Sequence, residues 1–401
     1  MPASSGARPE HRSPQLPSRA LPAPMPIRLR YALLVVLLVL FVTGWGANHF
    51  ASMIPVLKAD EGLSATVLTG AFGIYALGLL PGLFGGGTLS DRTGRRPVVL
   101  SGAAVAGLGN LAMVVWHDST GVLAGRLVVG LGAGLAISAG TAWAGDLRGR
   151  SGVTSAGVVL TTGFALGPVI TGLLAELVAH PLQIPFLATG IVSLAAAAIG
   201  TVLTPGGRPH HAHPNGMIDD NERSVGAALS WSVPMALWVF SSVTVVVVVM
   251  SARIGDDAWV PGLAAAVALG TGVIIQFVVR QAHAGPMAGV VGAALAAVGF
   301  LLCAAGGAHP SMALFVVTAV VLGLAYGLCL RDGLVDVETR TPPARRGAVT
   351  GAFYVACYLG FGLPVLVTTL APTVGLTTPM VVLAAAAIVA STSRAVRLRR
   401  R

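Results

Sequence analysis

Charge is scarce in this chain of 401 residues: Asp, Glu, Lys and Arg make up 10% of it, against about a quarter in a soluble domain. With 55% hydrophobic residues and a mean hydropathy of +0.82, that shortage excludes a soluble globular protein and leaves an integral membrane protein. Cysteine is nearly missing. Cys303, Cys329 and Cys357 are odd in number, lie inside apolar runs and lack metal-ligand spacing, which excludes a disulfide framework and a zinc site and leaves packing residues. Lys58 is the single lysine. Acidic residues are absent from the middle of every apolar run: Glu176 stands near the end of one, and the others fall between runs or at their ends. That pattern, with no HExxH and no nucleophile elbow, gives no support to a membrane enzyme, and no soluble domain is present to serve a sensor. The net charge of +10 could suggest nucleic acid, but the basic residues are scattered singly between apolar spans with no aromatic-lined basic face.

What is present is a series of apolar runs of membrane-spanning length. Twelve are expected, at Tyr31 to Val56, Ser64 to Gly86, Pro97 to Trp116, Thr120 to Gly145, Val153 to Leu177, Ile184 to Leu203, Ala228 to Met250, Trp259 to Val279, Pro286 to Ala305, Ser311 to Leu330, Ala348 to Leu370 and Leu376 to Ala390. Residues 1–30, rich in Pro, Ser and Arg, read as a disordered tail without the apolar core of a signal peptide. Residues 205–227 read as a linker between a bundle at 31–204 and another at 228–393, with a basic tail at 394–401. The linker's His210, His211 and His213 could hold a metal, but without a nearby Cys and between Pro and Gly they read as a solvated loop. Of the 25 cations, 22 fall on one side if the N-terminus is inside; Lys58 and Arg253 fall outside and Arg126 lies within a span. This imbalance predicts that the linker and both termini are cytoplasmic.

The stretch Gly85 to Leu100 joins the second and third spans and carries Gly87-x-Leu89-Ser90-Asp91-Arg92-x-Gly94-Arg95-Arg96, a dense group of charge and glycine read as a loop. It resembles the loop between helices 2 and 3 of major facilitator superfamily transporters. Two further motifs are similar to that superfamily. Arg126-x-x-x-Gly130-x-Gly132-x-Gly134 stands in the fourth span, and Gly163-x-x-x-Gly167-Pro168-x-x-x-Gly172 in the fifth resembles the signature of its drug/proton antiporters. A weak internal echo, Arg150-x-x-Val153-Thr154 to Pro168 against Arg346-x-x-Val349-Thr350 to Pro364, places the fifth span opposite the eleventh. The resemblance implies an all-α membrane protein of twelve transmembrane helices in two pseudo-symmetric six-helix bundles.

By the same resemblance, Gly87, Asp91, Arg92, Gly94, Arg95 and Arg96 form a conformational latch. Asp146 arrives at the same face, and Asp91 reaches the start of the eleventh helix near Gly347. The segment after the eighth span, Arg280 to Gly285, has no carboxylate, so only the first latch is expected. Arg126 would carry coupling or substrate charge, facing a partner or a wet cavity; alternatively it snorkels to the surface. His49, Asp91 and Asp146 are the candidate proton carriers, His49 also fitting a hydrogen-bonded structural role. Polar and aromatic residues at middle depth, namely Trp45, Asn48, Tyr75, Trp238, Gln276, Tyr326, Tyr354 and Tyr358, are the candidate cavity lining. Such a cavity suits small hydrophobic or amphipathic compounds better than sugars. The reading is an alternating-access exporter driven by protons, monomeric, without cofactor, metal or nucleic-acid partner. Its Ala-, Gly- and Arg-rich composition is that of a GC-rich bacterial genome and so of an inner membrane. The alternatives are an importer or facilitator of an organic anion held by Arg126 and, from another class, a membrane sensor or enzyme.

Overall fold

The computed structural model describes residues 27–204, 224–282, 285–342 and 345–400, apart from the side chains of Arg150, Arg346 and Gly347. The tail up to residue 26 and most of the linker, with its three histidines, lie outside the described residues.

Among the described residues, twelve helices are long and apolar enough to cross a membrane. They are α1 (Ile27–Glu61), α2 (Ala65–Thr93), α3 (Arg95–Val115), α4 (Ser119–Gly149), α5 (Ser151–Leu177), α6 (Ile184–Leu203), α7 (Val225–Ile254), α8 (Trp259–Gln281), α9 (Met287–Ala305), α10 (Met312–Arg340), α11 (Ala348–Val374) and α12 (Thr377–Arg399). A backbone in hydrocarbon must satisfy its own polar groups, so a chain this apolar goes helical wherever it crosses. The helix starts use ordinary caps: Ser64, Asp118, Ser224 and Ser311 accept hydrogen bonds from backbone N–H groups three residues on.

Several helices outrun their apolar cores. Helix α1 begins at Ile27, inside the stretch expected to be a tail, α7 begins at Val225, inside the expected linker, and α10 continues ten residues past Leu330. Helix α12 runs to Arg399, so the expected basic tail is largely helix and its Arg394 is buried. Hydropathy registers only the lipid-crossing part of a helix, and the extensions of α10 and α12 are held by burial and ion pairs.

The two halves repeat one arrangement. Helix α3 packs on α4 and α6 as α9 packs on α10 and α12, and α1 packs on α5 as α7 packs on α11. Both partners of the repeat are irregular at matching places. Helix α1 breaks at His49, and α7 takes an extra residue into a π-turn over Val245–Met250. The offset that relates Arg150 to Arg346 carries His49 onto Val245. Helix α11 tightens to a 3-10 turn at Leu359–Gly362, just before Pro364.

Candidate functional site

At the arginine-rich end of the first half, the segment read as a loop is almost entirely helix. Helix α2 continues through Asp91 and Arg92 to Thr93, α3 starts at Arg95, and Gly94 alone makes the turn. Gly94 has φ 97° and ψ 152°, a conformation closed to residues with a Cβ. This turn points Arg95 back along α2. Its Nη1 lies 2.6 Å from Asp91 Oδ1 and donates to Ser90 Oγ at 2.7 Å, while its Nε donates to Asp146 Oδ2 of α4 at 2.9 Å. Arg96 turns the other way and donates to Thr204 Oγ1 and the Thr201 carbonyl, satisfying the end of α6. Gly87 lies beside Ser138 of α4, and Arg92 is exposed. Asp91's expected contact near Gly347 adjoins residues 343–344, which lie outside the described residues. Gly94→Ala should cost about 1–3 kcal/mol of backbone strain. It should lower the melting temperature of the purified protein more than Gly62→Ala, whose φ of 63° lies in the left-handed helical region with open space around it.

The second half has an ion network of its own, which the sequence reading did not anticipate. Asp332 and Asp336 of α10 are the only fully buried carboxylates among the described residues, and both face the buried Arg394 of α12. Arg394 Nη2 makes close contact with Asp332 Oδ2 and sits 2.7 Å from Asp336 Oδ2; Arg340 Nε is 2.9 Å from Asp336 Oδ1. Arg340, Arg394 and Arg397 surround the Trp231 ring of α7 at 4.2, 5.2 and 4.4 Å. A Cβ at Gly289 of α9 would collide with Asp332 and Arg394, so four helices converge on one charge cluster. A signal was present in the sequence: Asp332, Asp336 and Arg340 recur every fourth residue, one face of a continuing helix.

In the interior, Arg126 is fully buried, which rules out snorkelling. Its Nη1 donates to the Ala47 carbonyl at 3.0 Å and its Nε to the Ala71 carbonyl at 3.4 Å, while Nη2 makes no hydrogen bond. Its guanidinium lies 4.7 Å from the centre of the Phe50 ring and 4.4 Å from that of Tyr75. No carboxylate pairs with it among the described residues. Ala47 lies two residues before the break of α1. At that break His49 Nε2 is 2.9 Å from Asn110 Oδ1, with its ring edge-on to Phe186, so His49 faces α3 and α6.

The remaining candidates separate into groups. Tyr75 and Phe72 of α2 meet Phe361 of α11, which meets Phe240 of α7 and Tyr358; Phe240 also meets Tyr326 of α10. This chain of rings crosses between the halves. Trp45 and Asn48 belong to a seam between α1 and α5: Trp45 donates to Thr171, Asn48 to the Phe164 carbonyl and Ser52 to the Pro168 carbonyl. Trp238 packs on Phe300 inside the second half, Gln276 bonds its own helix at Gly272, and Tyr354 lies against Phe353. The fifth-span motif serves the same seam and a second one. Gly163 and Gly167 bring α5 onto the backbone of α1, whereas Gly172 meets Ala258 and Trp259, and Pro168 meets Gly262, of α8 in the other half. Beside that contact, the Ala258 N–H donates to Glu176 at 3.1 Å and Lys58 bridges to Asp256 at 2.8 Å. The halves are therefore fastened at the Lys58 end, and α5 is more exposed toward the arginine-rich end, from Ser151 to Thr162.

This geometry agrees with what the chain resembles. The profile of the Major Facilitator Superfamily matches residues 36–365. The chain belongs to that superfamily. It is a membrane transporter and not an enzyme. Solved structures share the fold: a POT family transporter in complex with 5-aminolevulinic acid superposes with a TM-score of 0.74 at 14% identity, covering 91% of this chain and 95% of that one. A bacterial homolog of the human lysosomal transporter Spinster, in an inward-facing and unoccupied conformation, gives 0.74 at 13% identity over 94% and 98%. Among relatives by sequence, Multidrug resistance protein MdtL of Klebsiella pneumoniae (strain 342) is 33% identical over 89 residues. That match covers 22% of this chain and 23% of the relative. The MdtL of Escherichia coli (strain K12 / DH10B) is 35% identical over the same length and shares.

Proposed function

We propose that the protein is a proton-coupled exporter of small hydrophobic or amphipathic compounds, working as a monomer by alternating access in a bacterial inner membrane. The arginine-rich end with both termini is cytoplasmic, and the Lys58 end is outside. The observation that carries this reading is the fifth-span motif. Its glycines bring α5 within backbone contact of α1 on one side and of α8 on the other, so a single helix joins the two halves where they must rock. The partial similarity to multidrug resistance proteins supports the substrate class, as does the ring-lined junction between the halves with one buried cation beside it. In this reading Asp91, held in place by Arg95 and Asp146 within the first half, latches onto the start of α11 on the cytoplasmic side when the outer contacts open.

The test uses inverted vesicles acidified inside and a lipophilic dye first shown to shift the melting temperature of the purified protein. Adding the dye should release a pulse of protons, since uptake into such vesicles is export in the cell. A rival reading, a facilitator of organic anions, is favoured by the unsatisfied Nη2 of Arg126. Dye or anion equilibrating with no proton movement, at a rate indifferent to collapse of the pH gradient, would establish the rival instead.

A further inference from the structure

The fastened end of the transporter contains a cavity of about 330 Å³ between the halves. Its walls are apolar and come from both sides: Ile54 and Leu68 from α1 and α2, Val247 and Val248 from α7, Val367 and Ala371 from α11. Three charged residues face it, Lys58, Arg253 and Asp256. Lys58 and Asp256 neutralise each other at 2.8 Å. Arg253 has no carboxylate partner among the described residues; its Nη1 donates to the carbonyls of Cys303 and Gly307 and its Nη2 is buried without a hydrogen bond, so its charge stands behind the wall that its side chain helps to form. The cavity thus has an apolar body and one uncompensated positive charge at its rim.

We propose that this cavity is a binding site for an amphipathic organic monoanion, with its tail among the valines and its acid group at the rim beside Arg253, whose charge no carboxylate offsets. The volume admits such a ligand: a water needs only about 10–15 Å³ of such space, so a cavity of about 330 Å³ has room for a medium-chain carboxylate. A second feature marks the place as built. The π-turn of α7 supplies Val247, Val248 and Val249 to the wall, and such turns, which cost helix stability, concentrate at functional positions. Because α1 and α2 form one side and α7 and α11 the other, separation of the halves at this end dismantles the site. An occupant therefore binds the state closed at the Lys58 end and shifts the population toward it. This holds whichever way the protein transports and whatever drives it.

Decanoate is the probe, with decanol as its uncharged counterpart, titrated calorimetrically into the full-length protein in nanodiscs of zwitterionic lipid. Wild type should bind decanoate saturably, with one site per chain, at least tenfold more tightly than decanol. Arg253→Gln should remove that tenfold preference, and Arg280→Gln, an exposed arginine at the other end of the bundle, should not. Thr368→Trp, which fills the cavity from α11, should abolish binding of both, and it keeps the test decisive if Arg253→Gln fails to fold. Equal binding of decanoate and decanol would overturn the charged rim. Saturable binding that survives Thr368→Trp would put the occupant elsewhere, and non-saturating uptake would mark partition into lipid; either result overturns the site.

Discussion

Arg394→Ala is expected to destabilise the transporter by about 3–5 kcal/mol, the usual result of removing one partner from a buried ion pair. The expectation follows from what is left behind. Asp332 and Asp336 are both buried, and Arg394 is their shared cation; without it Asp336 keeps Arg340 on its far oxygen, and Asp332 keeps only the more distant charge of Arg331 and the backbone of Gly289. Two buried carboxylates would then share a site beside Gly289 without their common cation. The measurement is the melting temperature in detergent together with the yield of monodisperse protein. A triple change, Asp332→Asn, Asp336→Asn and Arg394→Gln, keeps the volumes and removes every charge of the set, and it should recover most of the loss. Arg394→Ala melting within a degree of wild type would show that the network is not what clamps α12 to α10.

Much of this fold was legible because hydrophobicity in a membrane chain is nearly a direct record of position. All twelve spans were visible, and the glycine-rich signatures fell on the helices where the structure uses them. What the sequence hid is what lies past the apolar windows. Asp332, Asp336 and Arg394 were assigned to a loop and a tail because α10 and α12 were expected to stop at Leu330 and Ala390, although the fourfold spacing of the charges on α10 was there to be read. The segment around Asp91 was taken for a loop for a related reason: polar, glycine-bearing sequence resembles a loop, yet a single left-handed glycine suffices to turn one helix into the next.

The interior was harder to read. Nothing in the run of five valines at 245–249 announces a π-turn, and nothing around His49 announces a break, because both arise from packing between segments far apart in sequence. The candidate cavity residues were chosen by residue type and depth, which say nothing about azimuth. Trp45, Asn48 and His49 accordingly proved to join α1 to its neighbours, while Tyr75, Tyr326 and Tyr358 gathered with Phe72, Phe240 and Phe361 at the junction of the halves. The phenylalanines that complete this group carried no signal, since an aromatic residue in an apolar helix reads as core.

Arg126 is where transport should be most sensitive to a single change. Its guanidinium ties two backbone carbonyls on two helices, Ala47 at the break of α1 and Ala71 of α2, and lies over Phe50 and Tyr75, with Tyr75 in turn against Phe361 of the other half. Desolvated cation–π contacts of this kind reach about 2 kcal/mol each, and an orphaned buried carbonyl costs about 1–3 kcal/mol. Arg126→Ala should therefore lower transport by about a hundredfold or more and also lower the melting temperature, because it removes both the charge and the filling of the site. Arg126→Lys keeps the charge but reaches only one carbonyl well, and it should retain an intermediate rate, roughly a tenth of wild type. The deciding variant is Arg126→Met, which keeps most of the volume without charge or donors. If the cation serves coupling or substrate recognition, Arg126→Met should fold and melt closer to wild type than Arg126→Ala and still fail to transport. Transport at the wild-type rate in Arg126→Met would reduce this arginine to a packing element and remove it from the mechanism.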